Sequence, residues 1–179
     1  MKYISKFILI TLWGWKIKGE FPEDVKKYIA IAAPHTHWLD FPLGVLFRSV
    51  VGKDIKFLAK SSLFKGPFGW FFKWTGGYPI DRSKSNNKVD TIIEVFNNNT
   101  ELALAISPEG TRQKVDKWKT GFYYIAKGAG IPIIMVTLDF GSKTLRISPP
   151  LYPGEDKDKD FDKMYAFYKS SIGKVPEYT

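Results

Sequence analysis

The chain has 179 residues, enough for one domain with a real core, and its 44% apolar and 25% charged content excludes a disordered polymer. Its charge balance, 27 basic against 18 acidic side chains, suits polyanions such as nucleic acid, anionic lipid headgroups or phosphorylated substrates, although surplus lysine also serves plain solubility. Cysteine is absent, which excludes disulfides, thiolate metal sites and a cysteine nucleophile.

Residues 1–16 begin the chain with the apolar run Phe7-Ile8-Leu9-Ile10-Thr11-Leu12-Trp13-Gly14-Trp15, flanked by Lys2, Lys6, Lys16 and Lys18. No small-residue cleavage site follows it, and it is shorter than the roughly 20 residues a spanning helix needs. A short apolar helix with Trp and flanking Lys suits the membrane interface; a core helix packed on the domain is the competing reading, and one face in with one face out satisfies both.

Tyr28 to Ala33 is an apolar run ending at Pro34 and reads as a buried strand. Asp40 to Val51 reads as a helix stopped at Gly52. Ile55 to Ala59 and Gly77 to Asp81 read as strands, separated by the aromatic-rich stretch Phe64 to Trp74. That stretch interleaves rings with Lys and Gly; it suits a bilayer headgroup zone or the wall of an acyl pocket, and otherwise a core helix. Val89, Ile92, Ile93 and Phe96 form the stripe of an amphipathic helix. Leu102 to Ile106 is a strand, Thr120 to Lys127 a helix stopping at Gly128 and Gly130. Pro132 to Leu138 and Thr144 to Ser148 are strands, and Phe161, Met164, Tyr165, Tyr168 and Ile172 form a last helical stripe. Strands alternating with helices predict a single α/β domain over 1–179 with a mostly parallel central sheet flanked by helices. Sites in such sheets collect at the carboxyl ends of strands.

Three polar clusters fall there. Both histidines of the chain lie in Ala33-Pro34-His35-Thr36-His37-Trp38-Leu39-Asp40, between a strand and a helix. A carboxylate at Asp40 returning to His35 would fix the imidazole tautomer and leave the other nitrogen to take a proton. A serine hydrolase is disfavoured because Gly-x-Ser-x-Gly is missing. A metal site on His35, His37 and Asp40 lacks further histidines. His37 reads best as a turn histidine or one shaping the pocket. The second cluster is Gly76-Gly77-Tyr78-Pro79-Ile80-Asp81-Arg82-Ser83, with an arginine suited to bidentate phosphate binding. The third is Ser107-Pro108-Glu109-Gly110-Thr111-Arg112. Singly, either could be a solvated surface turn.

In combination, His35 with Asp40, then Gly77-x-Pro79-Ile80-Asp81-Arg82, then Pro108-Glu109-Gly110-Thr111-Arg112, then Ile131-Pro132-Ile133-Ile134 resemble the four blocks of the glycerolipid acyltransferase family, over about residues 30–136. The resemblance implies acyl transfer from a thioester to a hydroxyl of a lysophospholipid-type acceptor, 1-acyl-sn-glycerol-3-phosphate being the default. It implies His35 as base and Asp40 as its orienting carboxylate. It assigns Arg82 to the acceptor phosphate, Glu109, Gly110 and Thr111 to the acceptor pocket, Arg112 to assisting with phosphate, and Lys60 to added positive charge. The co-substrate is acyl-CoA or an acyl carrier protein, with no metal and no resident cofactor. Pro34, His37 and Ser107 depart from the family's usual Asn, Ser and apolar residue, which bears on acceptor identity. The chain is shorter than many members, so a separate membrane domain is not expected. The expected setting is the cytoplasmic face of a membrane carrying anionic lipid, bound peripherally or monotopically, with no nucleic acid. The alternatives are a lipid or thioester hydrolase using water, and a non-catalytic basic module; nucleic-acid signatures are lacking.

Overall fold

Uninterrupted apolar runs need cover on both faces, and parallel strands linked by helices supply it. The computed structural model describes residues 2–80 and 88–179. From the N-terminus the elements run α1 (Lys2–Lys6), a π-helical segment (Phe7–Leu12), β1 (Lys16–Lys18), β2 (Lys27–Ala33) and α2 (Asp40–Val51). Then come β3 (Ile55–Lys60), a 3₁₀ turn (Ser61–Phe64), α3 (Gly69–Trp74), β4 (Gly77–Ile80), α4 (Lys88–Asn97) and β5 (Leu102–Ile106). The remainder is α5 (Gly121–Ala129), β6 (Ile133–Thr137), β7 (Thr144–Arg146), α6 (Lys157–Tyr168) and a 3₁₀ turn (Pro176–Tyr178). Five strands form one parallel sheet in the order β4-β3-β5-β2-β6, as the alternating pattern predicts.

The period-2 geometry of β2 splits its side chains between two cores. Ile29 and Ile31 join Leu104, Ile133, Phe96, Phe122, Tyr123 and Met164 under α4, α5 and α6. Tyr28 and Ala30 join Leu9, Trp15, Leu43, Phe47, Ile134, Val136 and Leu145 under α2 and the N-terminal segment. Each large apolar side chain buried in this way contributes about 1.5–3 kcal/mol. Gly128 lies inside α5 rather than ending it, because a Cβ there would meet Ile93 Cδ1 at 2.5 Å; the glycine lets α4 and α5 approach. Gly130, with φ of 63°, is the helix stop.

Three expectations change. The N-terminal helix spans less than residues 1–16: it turns π-helical after Lys6, ends at Leu12, and Lys16 already belongs to β1. β1 pairs with β7, so the Thr144 strand lies in a separate parallel pair outside the main sheet. Ile172 lies beyond α6, where its N–H donates to Asp139, and it is exposed. Asp81, expected to end β4, lies outside the described residues.

Candidate active site

Because the sheet is parallel, the loops after β2, β3 and β5 emerge at one end, with β5 between β3 and β2. The β2 loop carries His35 and runs into α2, whose first residue is Asp40. A carboxylate in a first turn is favoured by the helix dipole. Asp40 Oδ2 accepts the backbone N–H groups of Thr36 and His37, each at 2.9 Å, and lies 2.9 Å from His35 Nδ1. The carboxylate therefore folds the loop back on itself and fixes the imidazole with Nδ1–H donating. Nε2 has no partner among the described residues and is the nitrogen left to take a proton. Asp40 is 4% exposed, and its Oδ1 is buried without a hydrogen bond. Among the described residues no group of three or more His, Asp or Glu is placed to hold a metal ion.

Glu109, expected to help shape the acceptor pocket, lies behind the cavity wall, bonded to two residues that line it. Its Oε1 accepts the His35 backbone N–H at 3.0 Å and its Oε2 accepts the Ser107 hydroxyl at 2.7 Å. Both oxygens are occupied by protein, the side chain is buried, and it does not line the neighbouring cavity. Glu109 thus ties the β5 loop to the β2 loop at the base itself. Ser107, which departs from the family pattern, supplies the second half of this tie. Further back, the Tyr168 hydroxyl donates to Ile31 O at 2.7 Å and accepts Val136 N–H at 3.1 Å, so α6 braces the two strands below His35. Burial pushes the Tyr168 hydroxyl well up, and it stays a neutral donor.

Two cavities meet at His35. The larger, ≈ 990 Å³, lies on the α4 and α5 side. Gly110, Thr111 and Arg112 line it, together with Lys88 and Lys119. The smaller, ≈ 280 Å³, runs beneath α2 between Phe41, Gly44, Phe47 and the sheet residues Ala30, Ala32 and Val136. Arg112 and Ser107 border both. Gly44 leaves open space: a Cβ there would have nothing within 4 Å.

Of the other sequence-predicted residues, Lys60 ends β3 at the same sheet end, exposed, but lines neither cavity. Arg82 lies outside the described residues. His37 lines neither cavity; its Nδ1 accepts the Leu39 N–H at 3.3 Å, which makes it the turn histidine rather than a pocket wall. The role of Ser107 went unforeseen, although its place two residues before a buried carboxylate is a usable signal.

Several aromatic side chains face outward: Trp38 beside the site, others on and before α3, and Trp74 at the α2 C-terminus on the far side of the sheet. Trp38 is 59% exposed, Phe68 and Trp70 68% each, and Trp74 55%. The helix α3 buries only Gly69, so the core-helix reading of the aromatic stretch does not hold. The N-terminal segment has two faces: Leu9 and Trp15 are in the core, while Tyr3, Ile4, Phe7 and Leu12 are exposed.

Comparison with known proteins gives the chain a family and a shared fold. Residues 16–139 match the family described as Acyltransferase. The chain is 35% identical over 146 residues to a 1-acyl-sn-glycerol-3-phosphate acyltransferase of Saccharomyces cerevisiae, covering 76% of this chain and 46% of that protein. It is 33% identical to the enzyme of that name from Streptococcus pneumoniae, covering 77% of this chain and 54% of the relative, and 29% identical to that of Escherichia coli, covering 78% and 59%. The chain thus spans about half the length of these relatives. The crystal structure of the 1-acyl-sn-glycerophosphate (LPA) acyltransferase PlsC from Thermotoga maritima superposes with a TM-score of 0.63 at 19% identity, over 97% of this chain and 80% of that one, and shares its fold.

Proposed function

Because this chain belongs to the Acyltransferase family, we propose that it moves a fatty acyl group from a thioester to the free hydroxyl of a lysophospholipid, 1-acyl-sn-glycerol-3-phosphate first among them. The observation that carries this reading is the His35–Asp40 pair at 2.9 Å, at the junction of two cavities that each combine apolar walls with basic side chains. The relatives whose names state this reaction support the choice of acceptor.

The acceptor hydroxyl gives its proton to His35 Nε2 as its oxygen attacks the thioester carbonyl. Asp40, hydrogen-bonded at Nδ1, holds the ring and stabilises the imidazolium. The tetrahedral oxyanion collapses, the C–S bond breaks, and the proton on Nε2 passes to the departing thiolate. No acyl-enzyme is needed. Arg112 at the border of both cavities suits the acceptor phosphate, with Gly110 and Thr111 along the same wall and Lys60 adding charge to the sheet end. The acyl chain of acyl-CoA or of an acyl carrier protein suits the apolar wall of the cavity beneath α2, formed by Phe41, Phe47, Ala30, Ala32 and Val136, where Gly44 leaves room.

The working surface of this enzyme is a membrane, on its cytoplasmic face, held peripherally or monotopically. Exposed Trp38, Trp70, Trp74 and Phe68 and the outer face of the N-terminal segment support this, as does the net charge of +9 towards anionic lipid. No helix among the described residues is long and apolar enough to cross a membrane. The test is purified protein with a panel of lysolipids and both donor types, products identified by mass spectrometry. Acylated lysophosphatidate supports the reading; release of free fatty acid regardless of acceptor would replace it with a hydrolase.

A further inference from the structure

The larger cavity holds more positive charge than the acyl-transfer steps above use. Lys88, Arg112 and Lys119 line it, and among the described residues no Asp or Glu does. Lys119, an exposed residue, has its backbone fixed beside the cavity. Its backbone N–H donates to Pro108 O at 2.8 Å, which roots it in the turn that carries Glu109. Its side chain then lies across Gly110. A Cβ at Gly110 would meet Lys119 Nζ at 2.7 Å and Cδ and Cε at 2.8 Å each. Gly110 also has φ of 66°, a conformation that favours glycine. The glycine therefore does two things: it allows the turn, and it gives the lysine stem a bed. The Lys119 ammonium has no hydrogen bond or ion pair among the described residues, so its donors remain for a ligand.

We infer that Lys119 is a phosphate-binding residue of the acyl-transfer site, receiving the phosphate of a phosphorylated substrate together with Arg112. The inference rests on the acyltransferase reading for the identity of that substrate. The chemistry is complementary: Arg112 offers a planar fork, Lys119 a compact point charge, and a phosphate oxyanion takes charge-assisted donors from both. The phosphate can come from the acceptor headgroup or from the phosphopantetheine arm of the donor.

The experiment compares wild type, Lys119→Ala and Lys119→Arg. Steady-state rates are measured with lysophosphatidate against monoacylglycerol, and with acyl-CoA against an acyl-pantetheine lacking the phosphate. Lys119→Ala is expected to raise KM by ~10-fold for the phosphate-bearing partner alone, with kcat within ~3-fold, and Lys119→Arg to recover most of the loss. A rise confined to lysophosphatidate assigns the acceptor phosphate; one confined to acyl-CoA assigns the donor. Unchanged KM for both, or a fall in kcat alone, overturns the inference. Calorimetric titration with sn-glycerol 3-phosphate separates this from the acyl-transfer reading. Binding by wild type that weakens ~10-fold in Lys119→Ala supports the phosphate site even where no acyl transfer is found. Equal binding by the two proteins removes it as an acceptor site.

Discussion

Glu109 illustrates how much of this site is scaffolding. Its two oxygens hold the His35 N–H and the Ser107 hydroxyl, so Glu109 ties the β5 loop to the loop that carries the base. Removing it leaves a buried N–H unpaired, at about 1–3 kcal/mol, and lets the base drift from its proton. Glu109→Ala is expected to lower kcat by ~10–100-fold with KM for the acceptor nearly constant, while Glu109→Gln keeps an acceptor for His35 and most of the rate. Steady-state kinetics on both variants checks this, and a rise in KM alone would return Glu109 to the substrate. The same reasoning separates the catalytic pair. His35→Ala removes only the base, whereas Asp40→Ala also strands the Thr36 and His37 N–H groups and so weakens the loop. The His35–Asp40 contact is legible in sequence because it closes over five positions at a strand-to-helix turn. The Glu109 tie spans 74 positions and exists only because β5 lies beside β2. Local spacing contains no trace of it.

At the scale of elements, most of the alternation was readable. The α2 and β5 boundaries agree with the expectation, because Asp40 and Gly52 punctuate one and the unbroken apolar run defines the other. The small β1–β7 pair was not readable: Lys16-Ile17-Lys18 becomes a strand only by pairing with Thr144-Leu145-Arg146. Gly19 makes that pairing possible. It sits at φ of 84°, and a Cβ there would meet the Ile147 carbonyl oxygen at 2.4 Å. Neither the backbone angle nor the clash with another backbone can be relieved by a rotamer change. Gly19→Ala is expected to cost about 2–3 kcal/mol, read as a lower urea midpoint with unchanged slope. Stability equal to wild type would mean that this pair is dispensable. Gly128 teaches the complementary lesson: read as a helix stop, it serves helix packing, and only the presence of Ile93 opposite distinguishes the two.

At the scale of the whole molecule, the proposed membrane contact rests on exposed aromatic and apolar side chains. Leu12 shares a shallow depression with Leu39 at the start of α2, and Trp74 shares another with Ser5 and Val45. Trp74 thus borders the C-terminal half of α2 and Leu12 its start, with exposed Trp38 three residues from His35. Removing interfacial tryptophans should weaken lipid binding while sparing the fold, since these rings bury little in the core. The double variant Trp70→Ala, Trp74→Ala is expected to lower flotation with anionic liposomes at least ~5-fold with thermal stability unchanged. Undiminished flotation would move the membrane contact elsewhere. Two cavities meeting at one imidazole were beyond sequence reading, because their walls come from α2, α4 and α5 packed on opposite faces of one sheet. The chemical types around them were readable; which oxygens face substrate and which face protein was not.

In the proposed reaction His35 Nε2, with Nδ1 fixed by Asp40, takes the acceptor's proton. The most direct measurement is the acyl-transfer rate of His35→Ala at saturating lysophosphatidate and donor, beside its thermal unfolding curve. A folded variant slowed by ~10²–10⁴-fold is the predicted result. A folded variant that turns over within ~3-fold of wild type would contradict it.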